Sequence, residues 1–145
     1  MFNKILVALD GSEPSNHALM YAINCAEKWK AELLVLTVTP HTYTSYYPGE
    51  FTVVNIDEWQ DSLRKVHNDI LNKAEITLKK HAQVVYKRMM VEGRSGSKIV
   101  EVANKEDVSL IVIGNRGIGG LTGYILGSTS HYVVDHCEKP VLVIK

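Results

Sequence analysis

Cysteine is almost missing from this chain. Its 145 residues include two, Cys25 and Cys137, widely separated and in no CxxC arrangement. A disulfide framework is therefore not expected, and the two thiols read as reduced, small apolar residues of a cytoplasmic protein. Net charge is missing as well, because sixteen Lys and Arg balance sixteen Asp and Glu. A protein built for nucleic acid or a membrane surface would carry a basic excess or stripe, so neither is an expected partner. Long apolar runs are absent near the N-terminus. Five apolar residues, Ile5 to Leu9, stand between Lys4 and Asp10, too few for a secretory signal or a membrane span. The expected location is the cytoplasm. The six histidines include no pair at i, i+4, and His131 and His136 are five apart. No protein-bound metal site is expected from them.

What is present is alternation. Lys4 to Leu9, Leu33 to Val38 and Leu110 to Ile113 are apolar runs of strand length, the pattern of strands covered on both faces. Val84 to Val91 is a third strand, interrupted by Lys87 and Arg88 and so expected nearer an edge. Val141 to Ile144, opened by Pro140, is the last. Between them, Ala18, Leu19, Ala22, Ile23, Ala26 and Trp29 have helical spacing, and Trp59, Leu63, Val66, Ile70, Ala74 and Leu78 predict a long amphipathic helix. Ser12 is a plausible cap for the first helix, Ser95 or Ser97 for the third, and a fourth starts near Ser128. Residues 41–57 fit no regular pattern and carry Tyr43, Tyr46, Tyr47 and Phe51, which could pack the loop, a ligand or a partner.

Strand–helix alternation of this kind predicts one α/β domain over residues 1–145, a parallel sheet with helices on both faces. The first and fourth strands are the most apolar internal ones, so they belong in the centre and side by side. Ligands of such sheets sit at the carboxyl ends where the strand order reverses. Asp10 and Gly114 would then flank one crevice. A chain-terminal strand outside the fourth would be an apolar edge, which predicts a homodimer along Val141, Leu142, Val143 and Ile144.

Six of the ten glycines fall between Gly114 and Ser130. Strand, glycine-rich loop and helix N-terminus together make an anion site, because unpaired N–H groups and the positive helix end converge. A flexible surface loop has the same composition. The stretch is not a Walker A loop, since no lysine lies between residues 106 and 138. It is also a poor dinucleotide fingerprint, with Thr122 at the third glycine position.

Gly114-x-x-Gly117, nine residues, then Gly127-Ser128 resembles the GxxG-x9-G[ST] signature of the universal stress protein family, in its ATP-binding subclass. The opening Ile-Leu-Val-Ala-Leu-Asp-Gly-Ser and the closing Lys-Pro-Val-Leu-Val-Ile resemble the family too, so the likeness spans the chain. It implies a five-stranded parallel sheet of order 3-2-1-4-5, of the adenine nucleotide α-hydrolase-like kind, that binds ATP or AMP; Mg²⁺ could accompany the nucleotide phosphates. Position by position, it implies that Ala8, Leu9 and Asp10 line the adenosine end and that Val38 lies beside the base. Ile113, Gly114, Arg116 and Gly117 would follow the ribose and first phosphate, and Gly127, Ser128, Thr129 and Ser130 the outer phosphates. It also implies pairing through the last strand. Two places depart from the family: the stretch Gly93-Arg-Ser-Gly96, which replaces the more usual small residue or proline two positions after the glycine and would loosen the start of the third helix, and Thr129 where valine is common.

Each residue also has a plainer role. Asp10 could fix a turn, Arg116 could be a solvated charge, and Ser128 could be only a cap. The leading function is a nucleotide-binding regulatory module of the stress response. A dedicated enzyme is not expected: neither SGGxDS nor HIGH occurs, and Asp10 is the only carboxylate near the proposed phosphates. The alternatives are a nucleotide-independent dimeric scaffold and a slow ATP hydrolase.

Overall fold

Continuous apolar strands need cover on both faces, and the chain supplies it with two helices to each side. The structure, a computed structural model, describes residues 1–41, 56–117 and 126–145. In chain order the elements are β1 (Lys4–Ala8), α1 (Glu13–Trp29), β2 (Glu32–Thr39), α2 (Ile56–Leu78), β3 (Tyr86–Glu92), α3 (Ser95–Lys105), β4 (Leu110–Gly114), α4 (Ser128–His136) and β5 (Val141–Ile144). The five strands form one parallel sheet of order β3-β2-β1-β4-β5. The expected order 3-2-1-4-5 is the observed one, with β3 and β5 as its two edges.

Period-two alternation sorts the strand side chains onto the two faces. Ile5, Val7, Leu33 and Val35 join α1 and the lower half of α2 in one core, while Leu6, Leu34, Leu36 and Ile111 join α3 and α4 in the other. Ile5, Leu6 and Val7 are fully buried. At roughly 1.5–3 kcal/mol for each such side chain, β1 is firmly seated, and so is whatever it carries at its end. Cys25 packs at the margin of the first core and Cys137 at the margin of the second. The sheet lies between them, and both are free thiols. Burial pushes the Cys25 thiol up from its ordinary value.

Three local readings need correction. The apolar stripe expected on α2 is buried only in its lower half: Ala74 and Leu78 lie in the core with Ile70 packed against it, whereas Trp59 and Val66 are each 55% exposed and Gln60 and Leu71 are buried instead. Helical spacing alone admits both stripes, since they share Ala74 and Leu78. The upper half of the helix does not have the sheet core beneath its apolar side. Neither Ser95 nor Ser97 caps α3. Its N-cap is Arg94, which makes no side-chain cap hydrogen bond, and the Ser97 hydroxyl donates to the Arg94 carbonyl. Gly96, in the stretch expected to loosen that helix, serves packing: a Cβ there would stand 2.9 Å from Cβ, Cγ and Cδ1 of Tyr132 on α4. The glycine lets α3 and α4 touch. Tyr43, Tyr46, Tyr47 and Phe51 lie outside the described residues.

Candidate functional site

The crevice begins where β1 and β4 part. They pair up to Val7 and Val112. Beyond that point β1 stays with β2, through Leu9 N–H donating to the Leu36 carbonyl at 2.8 Å. β4 stays with β5 instead, through Asn115 N–H donating to the Ile144 carbonyl at 2.6 Å. One central strand leans each way, which opens the sheet at its carboxyl edge, the usual place for a ligand in a doubly wound sheet.

Asp10 stands at the mouth of this opening because the turn after β1 fixes it. Gly11 takes φ 84°, a conformation that costs other residues dearly. The Asp10 carboxylate accepts Ser12 N–H at 2.9 Å, and the Ser12 hydroxyl accepts Ser15 N–H at 3.3 Å as the N-cap of α1. Asp10 thus helps to form the turn, and its second carboxylate oxygen faces Gly117. A Cβ on Gly117 would stand 2.5 Å from Asp10 Oδ2. Gly114 is close to a different partner, since a Cβ there would meet the Pro14 main chain at 2.8 Å.

The far side is the start of α4. Gly127 N–H donates to the Asn115 carbonyl at 2.7 Å, drawing the helix start onto the end of β4. The buried Ser130 hydroxyl lies 2.8 Å from the same carbonyl and 3.0 Å from that of Gly127. That hydroxyl spends its hydrogen on the loop, so toward a phosphate oxygen, which only accepts, Ser130 has its main-chain N–H to offer. Gly127 is the N-cap and makes no side-chain cap bond. His131 N–H, bonded to the Gly127 carbonyl at 2.9 Å, is the first in the helical ladder. The N–H groups of Ser128, Thr129 and Ser130 precede it, at the positive end of the helix dipole.

Together these surfaces enclose a cleft of about 540 Å³. Ala8, Leu9, Val38 and Ile113 form its floor; Asp10, Gly114, Arg116 and Gly117 one flank; Gly127, Ser128, Thr129 and Ser130 another. Every residue singled out from the sequence for the nucleotide therefore lines one cavity. The cavity has a third wall that sequence reasoning missed: Pro40 after β2, Val66, His67 and Ile70 of α2, and Ser95 and Ile99 of α3. Ser95 could have been found, because a helix following a parallel strand starts at the carboxyl edge.

Above the α2 wall the rim is tied down by charge. The Glu92 carboxylate receives His41 and Arg64, the latter at 3.2 Å, and Arg64 also meets Asp61 at 3.1 Å. The hydrogen bond from His41 first, then that from Arg64, holds the Glu92 carboxyl below its ordinary value. Among the described residues no three His, Cys, Asp or Glu side chains are grouped to hold a metal. Asp10 is the one carboxylate on the cleft lining among the described residues, so of these it alone could add a carboxylate to the phosphate and water oxygens around a divalent cation there.

The whole chain, residues 1–145, matches the model of the universal stress protein family. It is 38% identical over 154 residues to universal stress protein YxiE of Bacillus subtilis, with all of both chains covered. Among solved structures it resembles universal stress protein UspA from Lactobacillus plantarum, with a TM-score of 0.86 and 26% identity over 99% of this chain and 97% of that one. It also shares its fold with a universal stress protein crystallised in complex with cAMP, with a TM-score of 0.76 and 23% identity over 99% of this chain and 97% of that one.

Proposed function

The chain belongs to the universal stress protein family, and from that premise we propose that it is an adenine-nucleotide-binding regulatory module of the stress response. ATP or AMP occupies the cleft between β1 and β4, with its phosphates on the start of α4 and on the Gly114–Gly117 turn. One observation carries this reading. The Asp10–Gly117 approach and the free N–H groups of Ser128, Thr129 and Ser130 face one cavity of about 540 Å³. Backbone N–H groups at a helix N-terminus suit phosphate oxygens, and a carboxylate suits ribose hydroxyls. The phosphates are held here without a P-loop lysine. A fold neighbour crystallised with cAMP supports the idea that this architecture has room for an adenine nucleotide.

The site is read as one that holds its ligand. Of the two groups among the described lining residues that could act as a base, Asp10 already accepts Ser12 N–H and His67 is bonded to the Leu63 carbonyl. Mg²⁺, if present, travels with the phosphates. The protein works as a cytoplasmic homodimer joined along Val141–Ile144.

Thermal unfolding with and without nucleotide tests the proposal. A ligand specific for the folded chain at 100 times its Kd adds about 2.7 kcal/mol, and each kcal/mol raises Tm by about 2–4 °C in a domain of this size. An unchanged Tm at millimolar ATP with Mg²⁺ would overturn it.

A further inference from the structure

His67 occupies an unexpected place on α2. The side of the helix that packs on the sheet is marked by Leu71, Ala74 and Leu78, and His67 continues it at i−4, i−7 and i−11. At that level an apolar residue would be the ordinary choice. Below His67 lies the cleft, whose wall it forms together with Val66 and Ile70.

The ring is already oriented. Nδ1 lies 2.9 Å from the Leu63 carbonyl oxygen. A carbonyl only accepts, so Nδ1 carries the hydrogen, and in the neutral ring Nε2 is an acceptor. Phosphate oxygens are acceptors as well and do not suit it. The two ends of the cleft also differ in position. α2 packs on β2 and β3, whereas α4 packs on α3 and β5, so His67 is on the flank opposite the free N–H groups of α4. Val38, Pro40, Val66 and Ile70 line the same cleft and give it apolar surface suited to the flat face of a base.

Resting on the nucleotide reading above, we infer that His67 is a specificity-determining residue, whose Nε2 accepts a hydrogen bond from the 6-amino group of a bound adenine. A purine without that amino group leaves Nε2 unpaired beside the ligand, which costs about tenfold in affinity for one partly buried hydrogen bond.

The test is calorimetric titration at pH 8 with three ligands: ATP, purine riboside triphosphate (hydrogen in place of the 6-amino group) and 2′-deoxy-ATP. The wild type is expected to favour ATP over purine riboside triphosphate about tenfold. His67→Leu, apolar like the residues that follow it on the same stripe, is expected to erase that preference by weakening ATP alone. His67→Gln, whose amide oxygen reaches the place of Nε2, restores the preference; His67→Asn, which reaches only the place of Nδ1, does not. If His67→Leu weakens both triphosphates equally, or if the lost discrimination is against 2′-deoxy-ATP, the assignment to the amino group is wrong while nucleotide binding stands. If the wild type binds none of the three, the nucleotide reading fails and the role of His67 falls with it.

Discussion

Gly117 lies so close to Asp10 that a methyl group on its Cα would stand 2.5 Å from Asp10 Oδ2, with no other atom of Asp10 nearer than 3.8 Å. Gly114, three residues earlier, would place the same methyl 2.8 Å from the main-chain carbon of Pro14 and 3.0 Å from Ser15 N. The two glycines of one motif thus do different work. At 117 the obstacle is the tip of a side chain, which can turn away. At 114 it is the main chain of α1, which cannot.

Gly117→Ala is therefore expected to unfold within about 1 kcal/mol of wild type and to bind ATP at least tenfold more weakly, because the displaced carboxylate no longer meets the ribose. Gly114→Ala is expected to lose about 1–3 kcal/mol of stability through overpacking. Urea unfolding and ATP titration of both variants separate the effects. Equal loss of stability in the two would contradict the assignment.

Gly96 makes a third close approach, against the Tyr132 ring, which is itself stacked on His136 with centroids 4.0 Å apart. Gly96→Ala should cost about 1–3 kcal/mol, more than the roughly 1 kcal/mol that alanine gains over glycine in a helix. A thermal midpoint above wild type would show that α3 and α4 can move apart freely.

These contacts mark what the sequence could and could not reveal. Apolar runs at Leu6 and Ile111 placed β1 and β4 in the middle, and the ends of those strands brought Asp10 to Gly114. The sheet order followed from strand character and from the family resemblance together. The α2 wall was hidden for a physical reason. Periodicity reports which side of a helix is apolar, and on α2 that side turns outward at Trp59 and Val66, while Gln60 is buried with its amide Nε2 3.3 Å from the Pro40 carbonyl. The place of His67 on the inward side becomes clear only once Leu71, Ala74 and Leu78 are seen in the core. Gly96 was hidden because its partner, Tyr132, is thirty-six positions away.

Acid should weaken the β3 edge in a defined direction. The Glu75 carboxylate takes a hydrogen bond from the Tyr86 hydroxyl at 3.0 Å and another from Arg88, whose guanidinium also reaches Asn72 at 2.9 Å. The bond from Tyr86 first, then Arg88, holds its carboxyl below the ordinary value of 4.5. A carboxyl depressed in the folded state binds its proton more readily when unfolded. Its contribution is thus complete above the ordinary value and disappears as pH falls through the lower, folded one. Urea midpoints of the wild type should decline across that interval, and those of Glu75→Gln should decline less steeply. Parallel curves would show that the pair adds nothing to the folded state, as many exposed ion pairs do.

The last prediction concerns β5, which pairs with β4 alone among the described strands and so leaves one edge of the sheet open. Val141, Leu142 and Val143 are only half-buried there, although Leu142 packs on the α1 side and Val141 and Val143 on the α4 side. An apolar edge in that condition favours a second copy, and a two-fold axis beside it buries the same residues on both chains. Light scattering at micromolar concentration should give about twice the 16.2 kDa mass of one chain. Val143→Lys puts a charge at the edge, a device that natural sheets use to prevent such pairing, and should return the mass to that of one chain while β1 and the cleft stay folded. A wild-type monomer would overturn the dimer. A dimer that survives Val143→Lys would move the interface away from β5.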